Sequence, residues 1–194
     1  MRNLIALALL LLASPAMATG YKTGPYAGLA VGYGTGQIGA GGLDLAQDGA
    51  QVSGLVGYTL ALGALVVGAE ADFGWNGVAA SFHDGLSARS SGSWQGSVRG
   101  RGGVTVGPAL LYGTAGVAIK DAKLEIDGTS GHSTLVGVVG GAGLEVQMTN
   151  TLQVRLEALR YAYPDGKVSV GDLGTAKFDS GDTVVRAGLI FALN

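Results

Sequence analysis

The chain contains no cysteine. A protein that reaches an oxidising compartment without cysteine holds itself together by packing and hydrogen bonds alone. Charge is also scarce. Only 13% of residues are Asp, Glu, Lys or Arg, where a soluble domain carries about 25%. The net charge is −2, and one unit more negative without Arg2. That excludes a basic footprint for nucleic acid. Histidine occurs twice, at His83 and His132, and no spacing of ligand types suits zinc.

Long apolar runs are missing from the body of the chain as well. Residues 54–69 and 102–119 carry no charge, which first suggests spanning helices. The first stretch holds Gly54, Gly57, Gly63 and Gly68, and the second is split by Gly107-Pro108. In a helix interior Pro costs about 3 kcal/mol and each Gly up to about 1 kcal/mol. Each stretch divides instead into two strand-length pieces around a turn signal, and reads as a hairpin.

What the chain has in excess is glycine, 36 of 194 residues, and apolar residues at 47%. Few charges with much apolar surface suit a protein whose outside meets lipid. The one uninterrupted apolar run lies at the start. Arg2 precedes residues 4–12 (LIALALLLL), and Ala16-Met17-Ala18 supplies small residues at the positions a signal peptidase reads. The run is too short to span a bilayer, and no basic stop-transfer segment follows. Residues 1–18 are therefore expected to be a signal peptide. Residues 19–194 form the single domain, with Thr19 as the mature N-terminus.

Eight segments of about ten residues carry strand character, near 25–34, 51–60, 65–75, 94–105, 109–120, 134–147, 152–163 and 183–193. About ten residues is what a tilted strand needs to cross hydrocarbon. The links alternate. Those at 61–64, 106–108 and 148–151 are short, and the other four are long. Short turns at one end and long loops at the other are the layout of outer-membrane barrels. With both termini periplasmic, the long links fall outside the cell. Each holds an Asp-Gly turn signal, Asp48-Gly49, Asp84-Gly85, Asp127-Gly128 and Asp165-Gly166, so the loops are expected to be hairpins in part.

Side chains alternate faces along a strand. Val67, Ala69, Ala71, Phe73 and Trp75 fall opposite Gly68, Glu70, Asp72 and Gly74. Trp94, Val98 and Val104 fall opposite Gln95, Ser97, Arg99 and Arg101. Val138, Ala142, Leu144 and Val146 oppose Gly141, Gly143, Glu145 and Gln147. Leu152, Val154, Leu156 and Ala158 oppose Gln153, Arg155 and Glu157, and Val185, Ala187, Leu189 and Phe191 oppose Arg186 and Gly188. A soluble sandwich alternates too, but its solvated face would be richer in Lys, Thr and Gln than this mixture of Gly, Ala and isolated charges. The fold class expected is all-β: an eight-stranded antiparallel up-and-down transmembrane β-barrel.

Such a barrel has room only for side chains inside. The inward charges are acidic at Glu70, Asp72, Glu145 and Glu157, and basic at Arg99, Arg101, Arg155 and Arg186. Buried there, they must pair. The simplest pairing joins Arg99 and Arg101 to Glu70 and Asp72 on the neighbouring strand, with interior glycines making room for the arginines. Their expected role is a structural plug, with a conductance path as the competing reading. Arg160 falls outward by strict alternation, which a bulge after Glu157 or a place at the headgroup rim would explain.

These residues carry a resemblance. Trp94-Gln95-Gly96-Ser97-Val98-Arg99-Gly100-Arg101, followed by Leu110-Leu111-Tyr112-Gly113-Thr114-Ala115-Gly116-Val117-Ala118, resembles the small outer-membrane β-barrel family of alphaproteobacterial type. That family is similar in fold to the opacity proteins and the OmpA membrane domain. Gly68-Ala69-Glu70-Ala71-Asp72, Gly141-Ala142-Gly143-Leu144-Glu145, Arg155-Leu156-Glu157, Tyr26-Ala27-Gly28 and Gly32-Tyr33 fit the same pattern, and the loops do not. Relatives usually end on an aromatic residue; this chain ends Phe191-Ala192-Leu193-Asn194. The resemblance implies a porin-family protein of the cell outer membrane. Its partners would be outer-membrane lipid and lipopolysaccharide, and the barrel-assembly machinery during biogenesis. No nucleic acid is among them, and no oligomeric state is implied.

No catalytic chemistry is expected. Gly34-Thr35-Gly36-Gln37-Ile38-Gly39 fits G-x-G-x-x-G but opens no helix, as a dinucleotide site requires. His132-Ser133 and His83-Asp84 are the sole candidates for a hydrolytic pair, both in expected loops, and neither matches the barrel hydrolases. The function expected is a structural barrel that supports envelope integrity and displays surface loops, without catalysis or cofactor. The alternatives are a surface receptor for haem or another ligand, with His83 and His132 as haem ligands, and a narrow porin.

Overall fold

The computed structural model describes residues 21–40, 43–77, 93–126, 129–169 and 175–193. Eight strands follow in order: β1 Gly24–Ala40, β2 Leu43–Leu62, β3 Leu65–Gly77, β4 Ser93–Val106, β5 Ala109–Ile126, β6 Thr129–Gln147, β7 Leu152–Ser169 and β8 Thr175–Ala192. Each pairs antiparallel with its sequence neighbours, and β1 closes on β8 through rungs such as Ala30↔Gly188. Closure leaves every strand of the wall paired on both sides, which is the arrangement a strand needs where no water can satisfy the backbone. Among the described residues there is no helix.

The short connections all lie at one end. Gly63-Ala64 joins β2 to β3, and Gly107-Pro108 joins β4 to β5. Gly63 and Gly107 have φ of 71° and 60°, the left-handed region that glycine enters without steric cost. Residues 148–151 join β6 to β7, with the Thr149 hydroxyl accepting from the Leu152 N–H at 3.0 Å.

At the far end the strands run well past the ten residues expected of them, to 20 in β2. Three of the four links expected to be long are mostly strand. β1 and β2 pair out to Ala40↔Leu43, β5 and β6 to Ile126↔Thr129, and β7 and β8 to Ser169↔Thr175. Two Asp-Gly signals are consequently not turns. Asp48-Gly49 lies within β2, opposite Thr35 and Gly34. Asp165-Gly166 lies within β7, where the register slips by one residue between Tyr163 and Gly166. Paired neighbours overrode the local turn propensity. Asp127-Gly128 and Asp84-Gly85 lie outside the described residues. Gly34 to Gly39 sits within β1, paired on both sides, so no helix opens at the G-x-G-x-x-G match.

Outside, the wall is apolar. Leu29, Val52, Phe73, Trp75, Val98, Leu111, Val136, Leu156 and Leu189 all point outward and are exposed, Leu29 at 66% and Phe73 at 62%. Water would not tolerate so continuous an apolar surface, and lipid does. Aromatic residues sit toward its two edges: Tyr33, Trp75 and Trp94 toward the far end, Tyr58 and Phe191 toward the turns. Phe73 stacks on Trp94 with centroids 5.8 Å apart. Arg160 also points outward, and alternation through β7 is unbroken from Arg155 to Tyr163. The bulge considered after Glu157 is absent; the irregularity comes later, at Tyr163. Arg160 instead donates to the Thr183 hydroxyl of β8 at 2.7 Å.

Candidate functional site: the charged interior

Alternation sends every second side chain into the barrel. On β3 these are Val66, Glu70 and Asp72; on β4 Gln95, Ser97, Arg99 and Arg101; on β6 Val139, Glu145 and Gln147; on β7 Arg155, Glu157, Leu159 and Tyr161; and on β8 Val184, Arg186 and Ile190. The four acids and four arginines named from the sequence are all buried, and the structure brings them into one network.

Glu70 is its hub. It contacts Arg99 and Arg155 directly, and lies 3.8 Å from Arg186 and 3.9 Å from Arg101. Arg99 reaches on to Asp72 at 2.9 Å and Glu157 at 3.3 Å. Arg186 joins Glu157 at 2.6 Å and Asp72 at 3.0 Å. Arg155 and Arg101 share Glu145, at 2.8 and 3.2 Å. The pairing expected for Arg99 on Glu70 and Asp72 is present. Of the two partners expected for Arg101, Glu70 is kept at 3.9 Å and Asp72 is not paired with it; its closer carboxylate is Glu145 of β6, one strand further round than β5, at 3.2 Å. Four positive and four negative charges leave the network neutral. Ions taken out of water must be compensated in this way, because one unpaired charge in such a place costs several kcal/mol.

Sequence reasoning missed the hydroxyls that complete the network. Tyr26 of β1 donates to Glu70 at 2.8 Å, and Tyr112 of β5 donates to Glu157 at 2.8 Å. Ser97 donates to Asp72 at 2.9 Å, and the Ser53 hydroxyl accepts from Arg186 at 3.3 Å. The guanidinium carbon of Arg101 lies 5.1 Å from the Tyr26 ring centre and 5.0 Å from that of Tyr112, and Arg155 stands 5.6 Å from each, within cation–π range. The signal was the parity of β1, β2 and β5, which places Tyr26, Ser53 and Tyr112 inward.

Interior glycines accommodate these residues one by one. Tyr26 stands opposite Gly57 and Tyr112 opposite Gly143. A Cβ on Gly57 would fall 2.3 Å from the Tyr26 hydroxyl, and one on Gly143 2.4 Å from that of Tyr112. Arg99 faces Gly116 and Arg186 faces Gly32, with added carbons 2.9 Å from Cγ of Arg99 and 2.7 Å from Cβ of Arg186. The glycines thus make room for tyrosine rings as well as for arginines.

Apolar side chains lie along the lumen on either side of the network. Toward the turns, Val66, Leu110 and Tyr112 cluster, with Tyr21 packed against them. Tyr21 precedes β1 and donates to the Glu145 carbonyl at 3.1 Å. Burial first, and then the Glu145 carboxylate, hold its phenol above the usual tyrosine range. Toward the far end, Ala118, Leu135, Val139, Leu159, Tyr161, Tyr163 and Val184 cluster. Beyond Ala118 and Val184, Lys120 of β5 meets Asp182 of β8 at 2.6 Å. Those strands are not neighbours, so this ion pair crosses the lumen. It too was missed, because Asp182 fell outside the expected strand.

Among the described residues no cluster of His, Asp and Glu is arranged to hold a metal. His83 lies outside the described residues. His132 lies in β6 opposite Lys123, not in a loop.

Comparison with known proteins agrees with this geometry. The chain matches the Outer membrane protein beta-barrel domain family over residues 4–191. It is 36% identical over 181 residues to a 22 kDa outer membrane protein of Rhizobium leguminosarum bv. viciae, covering 91% of this chain and 80% of that protein. It is 31% identical over 175 residues to a 25 kDa outer-membrane immunogenic protein of Brucella canis, covering 87% and 78%. In fold it is similar to the crystal structure of Neisserial surface protein A, with TM-score 0.56, 14% identity, and coverage of 88% of this chain and 99% of that one.

Proposed function

The chain belongs to the Outer membrane protein beta-barrel domain family, and from that footing we propose that it is a sealed, non-catalytic barrel that stiffens the outer membrane and displays its far end at the cell surface. The observation that carries this reading is the layered interior. A neutral network of four arginines and four carboxylates lies between two apolar clusters, with the Lys120–Asp182 pair beyond the outer one. An ion entering the lumen would have to cross apolar layers and break compensated pairs, each step costing several kcal/mol.

In the same reading the eight interior charges form a structural plug. Outer-membrane lipid and lipopolysaccharide surround the apolar wall, and the barrel-assembly machinery inserts it. Residues 1–18 are removed as a signal peptide, so N-terminal sequencing of the mature protein should begin at Thr19. Planar-bilayer recording tests the seal. Purified protein with heat-modifiable gel mobility should give no steady unitary conductance. A stable ohmic channel from that preparation would replace the plug with a narrow pore.

A further inference from the structure

Arg160 is a charge that the interior network leaves out. The four interior arginines each meet a carboxylate. Arg160 meets none among the described residues, and its one hydrogen-bond partner there is the Thr183 hydroxyl. It is also the one exposed charged residue in the described part of the wall.

Register fixes its place. Tyr33, Val185 and Ala158 form one outward row across β1, β8 and β7, and Thr35, Thr183 and Arg160 form the next row toward the far end. Arg160 therefore stands just beyond Tyr33, at the edge where aromatic residues mark the passage from hydrocarbon to headgroups. A lipid-facing cation is tolerated at that level far better than at the midplane, and it meets the anionic groups of the lipid there.

The guanidinium is held against the sheet. A carbon added to Gly181 of β8 would lie 2.8 Å from its Nη2 and 3.3 Å from its Cζ, so the group rests over the bare backbone of that glycine. Its Nη1 donates to the Thr183 hydroxyl at 2.7 Å. The Thr183 oxygen accepts that bond, which leaves its own hydrogen to donate outward, beside the exposed Thr35. A positioned guanidinium flanked by hydroxyls matches the oxygens of a phosphate.

The wall beside this group is shallow. Gly140 is the β6 partner of Arg160, and Ala142 and Ala158 pair one row nearer the turns. A carbon added to Gly140 would meet nothing nearer than 3.8 Å. The shelf lies between Val138 and Leu156, both exposed, and has room for a run of methylenes next to the cation.

We infer that Arg160, Thr183 and Thr35 form a headgroup site for lipopolysaccharide. A lipid A phosphate accepts from the guanidinium and from the Thr183 hydroxyl, and an acyl chain lies over Gly140, Ala142 and Ala158. The site rests on the reading above only in that the far end faces the outer leaflet. That orientation selects lipopolysaccharide over a glycerophospholipid as the source of the phosphate. A free phosphate ion would leave the apolar shelf uncovered.

Lipid retention by the refolded mature protein in a neutral detergent, read by native mass spectrometry, tests the site. The probes are bisphosphorylated lipid A, the same lipid A with both phosphates removed, phosphatidylglycerol and inorganic phosphate. The parent should hold bisphosphorylated lipid A about tenfold or more tightly than the dephosphorylated form, and more tightly than phosphatidylglycerol. Millimolar inorganic phosphate should not displace it. Arg160→Gln should lose about tenfold in affinity for the phosphorylated lipid and nothing for the dephosphorylated one. Thr183→Val should weaken the same lipid selectively, and it serves if Arg160→Gln loses heat-modifiable mobility. The proposal is overturned by equal retention of the two forms of lipid A, by phosphatidylglycerol held as tightly, by displacement with inorganic phosphate, or by unchanged affinity in the folded variant. A detergent micelle has no leaflets, so this result is independent of the orientation, which epitope accessibility on intact cells decides separately.

Discussion

Tyr26 occupies the space that Gly57 leaves empty. The two are cross-strand partners, and the tyrosine hydroxyl that bonds Glu70 would lie 2.3 Å from a Cβ on residue 57. The backbone carbonyl of Ala69 would lie 2.7 Å from the same added carbon, so even with the ring moved aside the substitution needs a backbone shift. Gly57→Ala should destabilise the barrel by about 1–3 kcal/mol, the usual range for overpacking. Gly100→Ala is the contrast: its added carbon points outward and meets nothing nearer than 3.9 Å, so it should stay within about 0.5 kcal/mol of the parent. Urea unfolding of both refolded variants checks this, and equal losses would contradict the Tyr26 packing.

The Arg99–Glu70 contact allows a sharper measurement. Arg99→Leu alone strands carboxylates in a buried site and should cost about 3–5 kcal/mol. Replacing Glu70 by Leu as well removes one charge of each sign, so the double variant should lose less than the sum of the two singles. Because Glu70 also serves Arg101, Arg155 and Arg186, Glu70→Leu alone should be the more damaging single change. Strict additivity in urea unfolding would mean that the two residues do not meet in the barrel.

The Lys120–Asp182 pair ties β5 to β8 across the lumen, with its side chains about one-sixth exposed. Lys120→Met should cost about 1.5–3 kcal/mol, as for a hydrogen bond to a charged group. The loss should shrink when Asp182→Asn is added. A cycle with no coupling would place the two side chains apart.

Orientation is open to a surface test. An epitope inserted at Asp84, in the link between β3 and β4, should be reached by antibody on intact cells, since loop tips accept insertions. One inserted after Gly63, in a two-residue turn at the other end, should be reached only after the outer membrane is permeabilised. Gly166 is a poor site, because it sits in the β7–β8 ladder opposite Phe178. The reverse staining pattern would invert the assigned topology.

The two-residue period of residues such as Val67, Ala69, Ala71 and Phe73 against Glu70 and Asp72, with a polar face of Gly, Ala and isolated charges and links alternately short and long, was enough to determine the barrel, its strand number and the inward face of each charge. Alternation is a local property: a one-residue slip would turn every charge toward lipid, so the pattern admits one face assignment. Gly63 and Gly107-Pro108 were legible as turns for the same local reason. Pairing across the lumen was not. Arg101 meets Glu145 rather than Asp72, and Lys120 meets Asp182, because the circumference and stagger of the closed sheet bring distant strands face to face. No spacing within one strand encodes that distance. The extent of the far-end ladders likewise belonged to tertiary structure. Asp48-Gly49 and Asp165-Gly166 have turn propensity, but the hydrogen bonds of an adjacent paired strand outweigh it.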